Sequence, residues 1–393
     1  MELFFLFPDF NIYSTPLLIL VFQGLIFVCL LFARYFKKRN ISDLFLGLIL
    51  LFICYEQICY TVGFMGWYNV FKNTKINYFL IDMGMAIAPL IYFYVKSITT
   101  SNFKFNKKNW WHFAPIFLLI TFRLSIYVYD SLQPGFEATQ NGVLKLSADE
   151  AVVAPMHMFV SFAQMLLYLA FTFQLFYNYR KRITAYFSNT YKLELNWILS
   201  FLILFTALFL YSSLQSIIGS LVVDLNYQQR WWLNIFMALV VLFIGIKGYF
   251  TDTTKLNKLS FSFSPNPESI PQVLEHKNEV SKIDIETVSK FMQTEKAYLN
   301  PDLNLADLAN LLQMNRSELS KIINTGFNKN FNDFINEYRV NTFKEKLKLG
   351  AHKQLSLLGI AYDCGFNSKA TFNRVFKKMT QTSPSEFLNS QTK

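Results

Sequence analysis

Charge is scarce in this sequence. Asp, Glu, Lys and Arg make up 16% of its 393 residues, against roughly 25% in an ordinary water-soluble domain. The average composition is therefore not that of an ordinary soluble domain. Cysteine is also scarce: Cys29, Cys54 and Cys59 lie in apolar runs and Cys364 lies near the C-terminus. No pair of them has metal-ligand spacing, and four thiols so placed are not the framework of a small secreted domain. Buried free thiols are the expectation. The opening MELFFLFPDF lacks a basic stretch and carries Glu2 and Asp9. The first apolar run is thus expected to be retained as a membrane helix and not cleaved as a signal peptide. The apolar half has no spacing typical of a metal site, a serine or cysteine nucleophile, or a phosphate loop. No cofactor, no metal and no enzymatic activity is expected.

What is abundant is hydrophobic surface: 53% of residues are hydrophobic and 18% aromatic, with 43 Phe. It is unevenly spread. Up to about Thr251 the chain consists of long apolar runs with brief basic punctuation, and beyond it the charge density is that of a soluble protein. A spanning helix needs about 20 mainly apolar residues. Seven segments qualify: about 14–36, 41–63, 77–98, 110–129, 153–179, 193–221 and 231–250. The first, TPLLILVFQGLIFVCLLFARYF, has no charge before Arg34.

The net charge of +11 is asymmetric across these segments. One set of loops holds Arg34, Lys37, Lys38, Arg39, Lys96, Lys104, Lys107, Lys108, Arg180, Lys181, Arg182, Lys192, Lys247, Lys255 and Lys258. The other holds Lys72, Lys75, Lys145 and Arg230, together with Asp130, Glu137, Asp149, Glu150 and Asp224. Basic loops stay on the cytoplasmic side. The expected topology has the N-terminus outside and the C-terminus in the cytoplasm. Trp67, Trp110, Trp111, Trp231 and Trp232 fall at the expected interfaces.

Ionisable groups within spans are functional suspects, because burying them in hydrocarbon is costly. Glu56, Asp82 and Arg123 fall in the outer half, with Gln57, His157, Gln215 and Asn234 at similar depth. Glu56, Asp82, Arg123, His157 and Gln215 are candidate residues of an outward-facing ligand pocket. The alternative is a structural ion pair between Arg123 and Asp82 or Glu56.

Residues 251–281 read as a linker, with Pro265, Pro267 and Pro271 among Ser and Asn. The expected division is therefore a seven-span domain over 1–250, a linker over 251–281 and a helical domain over 282–393. In the last of these, Ile285, Val288, Phe291 and Met292 share one helical face. Asn304 and Asp307 have capping spacing ahead of Leu305, Leu308, Ala309 and Leu312. A tight QMN connection leads into RSELSKIINTGF. There Leu319, Ile322 and Ile323 face inward, and Arg316, Ser317, Ser320, Lys321 and Asn324 face outward. FNDFINEYRVNTFKEKLKLG is a longer helix closed by Gly350. The pattern then repeats. Ser356 caps LLGIAYDC, Gly365 makes a turn, and Asn367 or Ser368 caps a helix with Phe372, Val375, Phe376 and Met379 inside. Ser368, Lys369, Thr371, Asn373, Arg374, Lys377 and Lys378 are left for a partner. Two short helices across a tight turn, the second polar and basic, is a helix-turn-helix. Here there are two.

At these residues the sequence resembles the AraC family of bacterial transcription regulators. The likeness covers about 283–390 and is carried by LNPDLNLADLANLL, LSKIIN, FNDFINEYRV, IAYDCGFNSKATFNRVFKK and SPSEF in order and spacing. Asn328 stands where many members have Gly, and Asn tolerates the left-handed conformation. Gln381 replaces another frequent Gly. The resemblance implies sequence-specific binding of double-stranded DNA by helices at about 316–325 and 368–379. It looks like the subset with a multi-helix membrane domain ahead of the DNA-binding one.

The whole chain is thus expected to be all-α: a seven-helix transmembrane bundle followed by a cytoplasmic domain with two helix-turn-helix units. Its expected place is the bacterial cytoplasmic membrane. Its expected partners are DNA, the lipid bilayer and a small-molecule or membrane signal, with RNA polymerase and a second copy of the chain as further candidates. Two other readings compete with that of a sensing regulator. One is a transporter or membrane enzyme fused to a regulatory domain. The other is a constitutive regulator that is merely anchored.

Overall fold

The computed structural model describes residues 8–67, 82–100, 103–133, 142–190, 193–221, 225–226, 228–251 and 281–391. The expected linker lies almost wholly outside them. The chain divides into two compact units, 1–176 with 196–263 and 177–195 with 264–393. Both are helical, and among the described residues the one extended pairing is an isolated bridge between Phe187 and Asn304.

The first unit contains α1 (Ser14–Lys38), α2 (Ile41–Phe64), α3 (Gly84–Thr99), α4 (Ala114–Leu132), most of α5 (Ala154–Tyr186), α6 (Asn196–Leu221) and α7 (Trp231–Phe250). Among the described residues six helices are long and apolar enough to cross a membrane. Residues 77–81 of the third expected segment lie outside the described residues. Only its part from Gly84 onward is described as helix, 16 residues with Pro89 inside. The fourth segment opens as a tight 3-10 helix, Lys107–Phe113, and the α-helix starts at Ala114 with a proline in its first turn. That proline has no N–H to donate to a preceding turn. The fifth runs to Tyr186, past its expected end.

Packing within this unit follows from side-chain size. α1 lies against α2 and α7, and α2 also against α3. A Cβ on Gly24 would lie 2.6 Å from Cys54 Sγ and 2.9 Å from Val241 Cγ1. The close approach needs the missing side chain, as small residues provide at helix contacts in membranes. Leu17, Leu31, Ile49, Leu50, Phe93, Ile198, Phe201 and Ile244 are buried between the helices. Arg34 donates to both Asp43 oxygens, at 2.8 and 2.6 Å, and to the carbonyls of Gly248 and Tyr249. This charge, expected in a cytoplasmic loop, thus ties the ends of three helices.

The outward faces are as apolar as the inside. Phe22, Leu118 and Phe159 are 64%, 71% and 73% exposed. Such continuous apolar surface fits hydrocarbon, not water. Cys29 lies on it. The expectation of buried thiols is therefore corrected there: the helix turns that position outward, while Cys54 and Cys364 are buried.

The second unit contains α8 (Lys282–Glu295), α9 (Leu305–Leu311), α10 (Arg316–Lys321), α11 (Phe331–Lys348), α12 (Leu357–Asp363), α13 (Lys369–Thr380) and α14 (Pro384–Gln391). α10 continues as a wider π-turn through Ile322–Gly326. α11 serves two cores. Phe331, Phe334 and Ile335 join Val288, Met292, Leu308, Leu319, Ile322 and Ile323. Val340, Phe343 and Leu347 join Ile360, Phe366, Phe372, Val375 and Phe376. Its 18 residues span about 27 Å at 1.5 Å each.

Candidate nucleic-acid interface

Each helix-turn-helix is built by the same local steps. In the first, the Asn304 side chain accepts from the Ala306 and Asp307 amides at 2.9 and 3.1 Å and donates to the Asp307 carboxylate at 2.6 Å. These bonds satisfy amides that a helix start leaves without partners. α9 ends with Gln313 at φ +54°. The Met314 amide then reaches back to the Ala309 carbonyl at 2.9 Å. Asn315 caps α10 by accepting from Ser317 N–H at 2.9 Å.

The second unit repeats this. Ser356 accepts from Gly359 N–H at 3.0 Å. Gly365 takes φ +90°, and the Phe366 amide reaches back to the Ala361 carbonyl at 3.1 Å. Ser368, one of the two expected caps, accepts from Thr371 N–H at 3.2 Å. Asn328 and Gln381 take φ +51° and +62°, the left-handed region that favours glycine.

Burial of the inner stripes determines what is left outside. Arg316, Ser317, Lys321 and Asn324 are exposed on α10 and its extension, and Ser320 is half-buried. Asn324 Nδ2 donates to Ser320 Oγ at 3.2 Å, which orders that edge. On α13, Lys369, Asn373, Arg374, Lys377 and Lys378 are exposed, with Ser368 half-buried at its start. Lys378 pairs with Asp333 at 2.6 Å. Thr371 corrects an expectation. It is 3% exposed, because its Oγ1 accepts from the capping Ser368 hydroxyl at 2.9 Å. The cap turns the side chain inward, away from any partner.

Sequence reading missed Arg339, which is 1% exposed. It donates to the carbonyls of Tyr298 and Asn300, both at 2.7 Å. Burial lowers its pKa to about 10, so it stays charged near neutrality. Its two shortest bonds go to backbone atoms, which leave no side-chain signature.

The suspects in the apolar helices separate into groups. Glu56 accepts from the Met83 amide at 2.9 Å. Asp82 caps Gly84 N–H at 2.7 Å and stands 3.7 Å from His157. Those three gather where α3 begins. Arg123 instead pairs with Asp149 at 3.2 Å, so the expected ion pair with Asp82 or Glu56 is not formed. Arg123 sits on α4, which turns it toward the segment before α5. Gln215 bonds Tyr211 on its own helix at 3.1 Å. A cavity of about 600 Å³ opens within this unit, lined by Glu56, Gln57, Met158, Phe162, Phe209 and Asn234 among others. Of the five expected ligand residues only Glu56 lines it. Gln57 Nε2 donates to Asn234 Oδ1 at 3.1 Å, while Gln57 Oε1 is buried without a partner.

Residues 308–390 match the family model of a helix-turn-helix domain. The match includes most of the first unit, the whole of α11 and the second unit. No curated protein and no solved structure matches the chain.

Proposed function

We propose that this chain is a membrane-embedded transcription regulator that binds specific DNA sequences and takes its signal through its apolar helices. The observation that carries the reading is the pairing of two helix-turn-helix units, over residues that match a helix-turn-helix family, with six helices among the described residues long and apolar enough to span a bilayer. The AraC-type pattern assigns α10 and α13 as the reading helices. Arg and Lys supply phosphate affinity, and the residues at each helix start read base edges. In this reading the chain lies in the bacterial cytoplasmic membrane. The distribution of Lys and Arg puts its N-terminus outside and its C-terminus in the cytoplasm, where the DNA is.

The cavity supports the sensing part. Its walls are mainly apolar, and Glu56, Asn234 and the unpartnered Gln57 Oε1 offer acceptors. It fits a molecule with an apolar body and a hydrogen-bond donor at one end. Such a molecule acts as a signal only if it binds two states of the helices unequally. Two reading helices let one copy engage a two-part site. A second copy and RNA polymerase are the further partners that the reading implies.

The test uses the full chain in lipid nanodiscs and a randomised duplex pool at fixed salt. A two-part site with centres about one helical turn apart should be enriched. Lys369→Ala with Arg374→Ala should weaken binding to that site by about tenfold or more. Sequence-blind binding that fades with salt would overturn the reading, because phosphate contacts alone give that behaviour.

A further inference from the structure

Residues 177–195, which hold the loop expected at 180–192 between two spans, belong to the second unit. Its contacts run along both helix-turn-helix units. Phe187 bridges Asn304, the cap of α9. Ser188 is fully buried. Its hydroxyl donates to the Leu303 carbonyl at 2.6 Å, and its own carbonyl accepts from Asn332 at 2.7 Å and Asn336 at 3.4 Å. Arg339 Nη2 donates to Ser188 Oγ at 3.2 Å. At the far end the Glu194 carboxylate, 6% exposed, accepts from Thr190 Oγ1 at 2.6 Å, Arg180 at 3.4 Å and Arg374 Nη1 at 2.6 Å.

The target of this strap is specific. Among the candidate DNA contacts on α10 and α13 there are two arginines, Arg316 and Arg374, and the strap holds both. Arg374 is paired with Glu194, and the Arg316 guanidinium lies 5.9 Å from the centre of the Tyr186 ring. The planar fork of arginine is the commonest reader of guanine and a strong phosphate ligand. A carboxylate on that fork occupies the donors that a phosphate oxygen or a base edge would take.

We infer that residues 186–190 and 193–194 are an internal ligand of the DNA-reading surface, competing with DNA for Arg316 and Arg374. The inference rests on the DNA-binding reading given above. Glu194 stands where an anionic oxygen of DNA would be received, and Tyr186 covers the second guanidinium. The apparent affinity for DNA is then the intrinsic affinity multiplied by the fraction of chains with the strap released. The strap is joined in sequence to α5 before it and α6 after it. A signal that favours its release therefore raises DNA occupancy without touching α10 or α13.

The test measures binding of the full chain in nanodiscs to the duplex enriched from the random pool. Glu194→Gln keeps the shape but removes the charge that holds Arg374. It should bind that duplex about tenfold more tightly, the scale of one lost charge-assisted bond, with the selected sequence unchanged. A second variant pairs Phe187→Cys with Asn304→Cys. Antiparallel partners have Cα atoms about 4.5–5.5 Å apart, within disulfide reach. Oxidation should lower affinity at least tenfold relative to the reduced pair and reduction should restore it, with neither single-cysteine variant responding to the oxidant. Unchanged affinity in Glu194→Gln, with equal binding by the oxidised and reduced pair, would overturn the inference and leave the regulator reading intact. If wild type, Glu194→Gln and the reduced pair all fail to select a duplex, both fall. If Glu194→Gln does not fold, the cysteine pair decides alone, since it leaves Glu194 in place.

Discussion

The two helix-turn-helix units make the same turn with different residues. Both send an amide five residues back, Met314 to Ala309 and Phe366 to Ala361. Both need a left-handed residue to do so. The first uses Gln313 at φ +54° and the second Gly365 at φ +90°. The surroundings account for the difference. Gln313 is exposed, so its side chain extends into solvent. Gly365 is buried, and a Cβ there would lie 2.5 Å from the Tyr298 carbonyl oxygen and 2.9 Å from that of Leu299. A left-handed position thus tolerates a side chain at modest cost, whereas one pressed against backbone does not. The cores differ as well. The first is mainly aliphatic, around Leu308, Leu319, Ile322 and Ile323. The second is centred on rings: Phe372 touches Phe343, Phe366 and Phe376, and Phe343 also touches Phe376.

The largest effect that would separate the two units is at Gly365. Gly365→Ala adds left-handed strain to an overlap with backbone, and should destabilise the second unit by about 3–5 kcal/mol. Hydrogen exchange of the α12 and α13 amides in the full chain is the readout. Gln313→Ala, at the equivalent turn, should leave the α9 and α10 amides nearly unchanged. Equal loss of protection from the two substitutions would mean that the backbone contact at Gly365 does not distinguish the turns.

A smaller effect should reach both units at once. Arg339 lies on α11 between the two cores and binds the carbonyls of Tyr298 and Asn300. Arg339→Met keeps most of the volume but removes the donors to both carbonyls, leaving that of Asn300 with the Leu303 amide alone. The expected loss is on the order of 2–3 kcal/mol, with faster exchange in α9, α10, α12 and α13 together. Loss confined to one side would show the units to be independent, with α11 a spacer and not a shared wall.

Much of this unit was legible because its determinants are local. The Asn304, Ser356 and Ser368 caps, the inward stripes and the glycine turn all follow from spacings of a few residues. Thr371 was misplaced because a side chain bonded to its own cap turns inward even where the helical period points it out. Arg339 and the strap were not legible at all. Ser188 meets α11 mainly through its carbonyl, and every residue has one. In the apolar helices, hydropathy gave seven segments and approximate depth but not rotation about each axis. Arg123 was thus matched with Asp82 or Glu56 at similar depth, whereas its helix faces Asp149. A pocket at this depth was expected, but most of its lining was not legible, for the same reason: Gln57 and Asn234 meet only after three-dimensional packing.

The smallest effect has the opposite sign. Gln313 holds φ +54° without the glycine that the conformation favours. A non-glycine residue in that region carries about 1–2 kcal/mol of strain. Glycine would remove the strain but would also make the unfolded chain more flexible, giving back about 0.4–1 kcal/mol. The net expectation for Gln313→Gly is therefore a gain of roughly half a kcal/mol, seen as slightly slower exchange of the α9 and α10 amides. A gain would mean that the first turn retains strain which the second avoids by having Gly365. A loss would mean that the Gln313 side chain makes a contact worth more than the strain. The two units would then differ in how each turn is held, not only in how much room surrounds it.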